Sequence, residues 1–282
     1  MKIKQLTLGL TLVALVGTST LTSCRKKDKE EKDSDTAAAI DQSFASSTVN
    51  DLTNISDEAV KGNNVSSFKT ADANALLSNC ATITYDTLLA AKTVTVNFGP
   101  TNCLGNDGRN RRGSIIINFT GKYRDSLTVI TVTPSGYFVN DNQVTGSKTI
   151  TNKGRNAANH TVYQINANMQ VIKANNGGTI YWQSNRSREW LSGESTLTWN
   201  DDVYSITGSA TGTTSNGNSF NSVITSPLIR NMSFGCRRHF VQGTLEHTPG
   251  GKATRYIDFG NGACDDQAVV TINGNAYTIT LP

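Results

Sequence analysis

The chain has 282 residues and a formal net charge of +4, from 26 lysines and arginines against 22 aspartates and glutamates. Lys2 and Lys4 stand at the very front, so the remainder carries about +2 spread over its whole length. So thin an excess gives no electrostatic footprint for a phosphate backbone and excludes a nucleic-acid partner, while the length allows one large domain or two small ones.

In chain order, Lys2 and Lys4 precede an apolar run from Leu6 to Val16, followed by small residues ending in Leu21-Thr22-Ser23-Cys24. A membrane-crossing helix needs about 20 mainly apolar residues. This run is shorter and interrupted by threonines, which predicts a removable export signal over residues 1–23. Leu-Thr-Ser-Cys resembles the lipobox of bacterial type II signal peptides. The resemblance implies that a diacylglyceryl group is joined to the Cys24 thiol and that cleavage falls just before it, with palmitate as the type of acyl chain. A single chain binds a membrane only marginally, at about 0.8 kcal/mol per buried CH₂. The two or three chains of such lipoproteins make the anchor lasting.

Residues 24–35 follow as a charged tether, with no apolar residue from Arg25 to Asp33 and thus nothing to bury. Arg25 is not the aspartate that tends to retain lipoproteins on the inner membrane, and the Lys and acidic residues after Cys24 resemble the surface-export signal of Bacteroidota-type lipoproteins. The implied location is the outer membrane, lipid-anchored, with exposure at the cell surface.

Residues 36–62 read as one helix lying on a sheet: Ile40, Phe44, Leu52, Ile55 and Ala59 recur near helical spacing, Asp35 or Thr36 can cap its start, and Gly62 can end it. From residue 80 to 282 the period is two. Val94, Val96 and Phe98 alternate with polar residues, as do Ile115, Ile117 and Phe119, and Tyr163 through Val171 keep Gln164, Asn166, Asn168 and Gln170 on the opposite face. One buried and one wet face mark antiparallel sheet. Asn273-Gly274 between two alternating runs is a strong hairpin signal, and Asp107-Gly108, Asn176-Gly177 and Asn216-Gly217 are similar. The expected fold is mainly β, an antiparallel meander of about a dozen strands, sandwich-like or strongly curled, with one N-terminal helix.

Two echoes run through this region. Asn97-Phe98-Gly99-Pro100-Thr101-Asn102-Cys103 parallels Asp258-Phe259-Gly260-Asn261-Gly262-Ala263-Cys264, and Val144-Thr145-Gly146-Ser147 parallels Ile206-Thr207-Gly208-Ser209. They admit either two related β halves or coincidence in a Gly/Thr-rich chain. With Cys24 lipidated, Cys80, Cys103, Cys236 and Cys264 remain, an even count suited to two disulfides in an oxidising compartment. Three pairings are open. The repeated strand–turn–Cys unit, each with a cysteine some two dozen residues upstream, favours Cys80–Cys103 and Cys236–Cys264. A zinc site would want closer Cys-x₂₋₄-Cys spacing. The Phe-Gly-x-x-x-Cys, Ile-Thr-Gly-x-Ala-Thr-Gly-Thr and Gly-x-Gly-x-Cys-Asp segments together resemble a set of uncharacterised β-rich lipoproteins of Bacteroidota type, which implies location and no particular activity.

Chemistry is sparse. No Gly-x-Ser-x-Gly elbow and no metal-binding histidine motif occurs, so no catalytic residue, metal ligand or cofactor is assigned. Asp201-Asp202, Asp265-Asp266 and Asn106-Asp107 read as turn formers, and Arg109, Arg111 and Arg112, like Arg237 and Arg238, as solvated clusters. Glu189 and Asp202 could serve glycoside hydrolysis only if they lined one cleft. Trp182, Arg186, Arg188 and Trp190, in a stretch that also holds Trp199, are the candidate ligand site: aromatics beside guanidinium groups suit sugar stacking, against core packing as the alternative. The reading is a non-catalytic binding or structural protein of the envelope, its partners the membrane and a glycan or envelope protein.

Overall fold

The structure, a computed structural model, describes residues 33–59, 77, 80–86, 92–196, 198 and 200–281. The expected export signal, Cys24, most of the expected tether, Gly62 and Trp199 lie outside the described residues. Within them one helix, α1 (Ala37–Ala59), is followed by fourteen strands: β1 (Thr82–Asp86), β2 (Lys92–Asn97), β3 (Cys103–Leu104), β4 (Asn110–Phe119), β5 (Val129–Val139), β6 (Asn142–Arg155), β7 (Thr161–Ile172), β8 (Thr179–Ser192), β9 (Val203–Thr213), β10 (Ser219–Asn231), β11 (Gln242–Pro249), β12 (Arg255–Asn261), β13 (Gln267–Ile272) and β14 (Asn275–Thr280). Every pairing is antiparallel and the strands lie side by side in chain order, β3 pairing with β4 off that path. Among the described residues there is one continuous sheet, an antiparallel meander in chain order.

The turns carry the signals read from the sequence. Asn273 and Gly274 both take positive φ, 50° and 78°, and close the β13–β14 hairpin. Asn140 and Asp141 do the same between β5 and β6 without a glycine, at 45° and 63°; asparagine and aspartate tolerate this left-handed conformation because their short polar side chains bond locally.

The helix does not lie on the sheet; the sheet wraps it. Nineteen of the 23 residues of α1 are buried, including Asp41, Gln42, Ser46, Thr53 and Asn54. Its first turn packs Ala39 against Leu228, Leu245, Ile257 and Val270. Farther along, Val49, Leu52, Ile55 and Ala59 meet Val96, Ile115, Ile117, Val132 and Ile150. A helix touched on all sides demands a strongly bent sheet, and the bend has local causes. Register shifts interrupt β4–β5, β5–β6, β8–β9, β9–β10 and β10–β11, and such bulges bend a strand and increase its twist.

The N-terminal cap is as read: the Asp35 carboxylate accepts the Ala37 N–H at 2.9 Å, and the Thr36 carbonyl accepts the Ile40 N–H at 3.0 Å. The last tether residues differ from expectation. Asp33 accepts two bonds from Arg255, at 2.7 and 2.8 Å, and Asp35 pairs with Lys252 at 2.5 Å, so this end of the segment is docked on β12 and the turn before it. Cys80–Cys103 and Cys236–Cys264 are the bonded pairs, with Cα atoms 5.9 and 4.5 Å apart. The first joins the start of β3 to the segment before β1. The second ties the β10–β11 connection to the β12–β13 connection.

Candidate functional site

Two surfaces of the sheet could carry function, the inner one facing α1 and the outer one facing water. The inner face is unusually basic. Arg111 is fully buried; its guanidinium reaches Asp51 of the helix at 2.9 Å and Asp107 at 2.6 Å. Arg109 reaches the same Asp51 at 3.0 Å and donates to the Ser47 hydroxyl at 2.8 Å. Arg188 pairs with Asp57 at 3.1 Å, bonds the Tyr123 hydroxyl, and lies over the rings of Tyr163 and Tyr204 at 5.0 and 4.7 Å. Burial alone would push Asp107 up, but the bonds and charge of Arg111 outweigh it and hold this carboxyl below its usual range. The expectation that Arg109 and Arg111 are solvated is therefore corrected: Arg111, on the inward side of β4, and Arg109, just before that strand, are both buried and neutralise the helix.

Among the described residues, three other inward cations have no carboxylate on them. Lys148 Nζ donates to the Val49 carbonyl at 2.8 Å and to the Thr53 hydroxyl. Arg186 donates to the Ser46 hydroxyl at 2.9 Å, and Arg230 to the Arg237 carbonyl at 2.5 Å. Burial, then the neighbouring charge of Arg188, drives the Lys148 ammonium well below its ordinary range. Burial brings Arg186 down to about 10; burial, then the charge of Arg109, does the same to Arg230.

The residues singled out in the sequence fall on this inner face. Trp182, Arg186, Arg188 and Trp190 share the inward side of β8, each 5% exposed or less. Trp182 packs on Phe220 at 5.8 Å and Trp190 on Tyr204 at 5.4 Å. With their rings in the core, an exposed stacking platform is not formed there; core packing accounts for them. Asp202 is buried and accepts from Trp190 Nε1 and the Tyr204 hydroxyl, both at 3.2 Å. Glu189 points outward to His160 and Asn156, at 2.7 and 2.8 Å. The two carboxylates lie on opposite sides of the sheet and line no common cleft. Asp201 takes the Thr196 and Thr198 hydroxyls, and Asp265 the Gln267 N–H, as turn formers do. Among the described residues no group of three or more His, Cys, Asp or Glu side chains could hold a metal ion.

The outer face has the opposite character. Register aligns Thr149, Asn166, Asn185 and Ser209 across β6–β9, and beside them Ser147, Asn168, Gln183 and Thr211. Among the outward positions of β7, β8 and β9, Glu189 at one end is the only charged residue. An open depression of about 320 Å³ sits here, lined by Asn168, Gln183, Asn185, Ser209 and Thr211. Tyr181, 49% exposed, is two positions from Gln183 on the same side of β8. Sequence reading placed Asn166 and Asn168 on a wet face but missed the depression, because it exists only once β7, β8 and β9 are in register. No known protein family, curated protein or solved structure matches the chain.

One inner residue reports on pH. His247 is fully buried, 2.7 Å from the Ser222 hydroxyl and 5.1 Å from the Phe220 ring; burial first, then the charge of Arg255, lowers it to about 4. The unfolded chain takes up this proton near pH 6.5 and the folded one does not, so stability is full above 6.5 and falls as pH drops toward 4. The expected loss from His247 is about 2 kcal/mol between pH 6.5 and 5. His239, also held at about 4 by burial and then by Arg238, adds to the same fall. Urea unfolding at stepped pH should show His247→Gln with roughly half the wild-type decline; an unchanged slope refutes the assignment.

Proposed function

We propose that this protein is a lipid-anchored component of the outer membrane with a non-catalytic binding role, and that its outer β7–β9 face takes a neutral, hydroxyl-rich ligand, a glycan. The observation that carries the reading is the depression lined by amides and hydroxyls, with an exposed tyrosine ring beside it. Amide and hydroxyl groups both donate and accept, matching sugar hydroxyls that do likewise. A face almost free of charge does not select for ionic partners, and a ring face can stack on the apolar side of a sugar. The anchor rests on the export signal of residues 1–23 and on Cys24 directly after it. It would hold this face within reach of envelope polysaccharide.

A glycan array probed with the full lipoprotein in nanodiscs tests this. Binding to a defined set of neutral glycans is expected, and Tyr181→Ala or Gln183→Ala should weaken it about tenfold, equivalent to ~1.4 kcal/mol, with melting temperature unchanged. No bound glycan, or binding that survives both substitutions, refutes the reading.

A further inference from the structure

The three cations without a carboxylate, together with Arg188, surround a cavity. Lys148, Arg186, Arg188 and Arg230 line it from β6, β8 and β10, with Val49, Asn50, Thr53 and Asn54 of α1 opposite. Ser184, Tyr204, Ile165 and Ile206 complete the wall, and no carboxylate is among the lining side chains. The Nε atoms of Arg186, Arg188 and Arg230 and the Nδ2 atom of Asn50 are buried without a hydrogen-bond partner. All four are donors, and all four belong to residues lining this one space. Buried polar groups are ordinarily satisfied, and among the described residues these four donors meet no orphan acceptor in the wall.

We propose that this cavity is a site for a buried monatomic anion, a halide of chloride size, held by the Arg186, Arg188 and Arg230 guanidinium groups and the Asn50 amide. The size follows from the space: about 20 Å³ is open to the centre of a water-sized sphere, where one water needs about 10–15 Å³. That is room for one small ion. The charge follows from the wall. Among the described residues, Asp57, on Arg188, is the one carboxylate bonded to any of the four lining cations. Water in the same place could accept hydrogen bonds but would leave the Arg186 and Arg230 guanidinium charges unanswered. The site is distinct from the outer depression, which opens on the other face of the sheet.

Bromide supplies the test. A crystal of the full chain soaked in sodium bromide should give an anomalous peak inside the cavity. In solution, replacing gluconate by chloride at constant ionic strength should raise the melting temperature by about 5 °C once the ion exceeds its dissociation constant a hundredfold. Ser184→Asp, which places a tethered carboxylate in the wall, should remove the chloride dependence while keeping the fold. Arg186→Gln should reduce the dependence, and Ser184→Asp keeps the test decisive if that variant fails to fold. Water alone in the cavity, bromide bound only at the surface, or equal melting in gluconate and chloride would each overturn the proposal.

Discussion

Replacing Asp51 by alanine is expected to destabilise the domain by about 3–5 kcal/mol, the usual consequence of removing one partner from a buried ionic network. Asp51 holds Arg109 at 3.0 Å and Arg111 at 2.9 Å, and all three side chains are nearly or fully buried. Arg111 keeps Asp107 at 2.6 Å, whereas Arg109 is left with the Ser47 hydroxyl at 2.8 Å. An unanswered guanidinium inside the sheet is therefore the main cost. Asp51→Asn should lose almost as much, because it preserves shape and removes charge. The double variant Asp51→Ala/Arg109→Met should lose less than the two single changes added together, since it takes out both charges at once. Urea midpoints of the four proteins measure this; additive losses would mean that the network does not couple.

The second large effect is at the glycines of the Thr-Gly-Ser echo. Gly146 (φ 106°) opposes Met169 on β7, and Gly208 (φ 118°) opposes Arg186 on β8. A Cβ at Gly146 would press on the Asn168 carbonyl and sit 2.8 Å from Met169 Cα; at Gly208 it would press on the Asn185 carbonyl and sit 2.8 Å from Arg186 Cα. The two sites are near copies of one another, a close approach of adjacent backbones that only glycine permits. Alanine at either should cost about 3 kcal/mol or more, combining backbone strain with displacement of the neighbouring strand. Gly136→Ala is the control: its φ of 53° is strained but a Cβ there meets nothing within 4 Å, so about 1 kcal/mol is expected. Thermal unfolding that ranks Gly136 with the other two would contradict this reading.

The other echo also has a physical basis. In Asn97-Phe98-Gly99 the Asn97 side chain accepts the Gly99 N–H at 2.8 Å, and in Asp258-Phe259-Gly260 the Asp258 side chain accepts the Gly260 N–H at 2.8 Å. Phe98 and Phe259 are both buried. The same turn is used twice, each time ahead of a disulfide cysteine, which is why an echo in the sequence could indicate the pairing. Alternation and turn residues made the sheet legible for a similar reason, since each is a local property of the chain.

What was not legible depends on residues far apart. α1 reads as a surface helix because Asp41, Asp51 and Asp57 lie among its serines and threonines; its polar side is buried only because the sheet supplies arginines to meet it. Those arginines carried a signal. Arg111 is in phase with Ile115, Ile117 and Phe119, and Arg186 and Arg188 are in phase with Ile180, Trp182 and Trp190. Period two says that they face inward, while residue type says outward, and the period decides. The outer depression left no local mark, since a one-residue slip of any of its strands would send its side chains to the core.

Amide hydrogen exchange across α1 tests most directly that the sheet encloses a polar helix. Residues Ala45–Ala59 should exchange among the slowest in the protein, only through global unfolding, at the rate of the central strands β6–β8. Exchange of α1 within seconds while those strands stay protected would show that the helix opens independently, and the ionic interior described here would not exist.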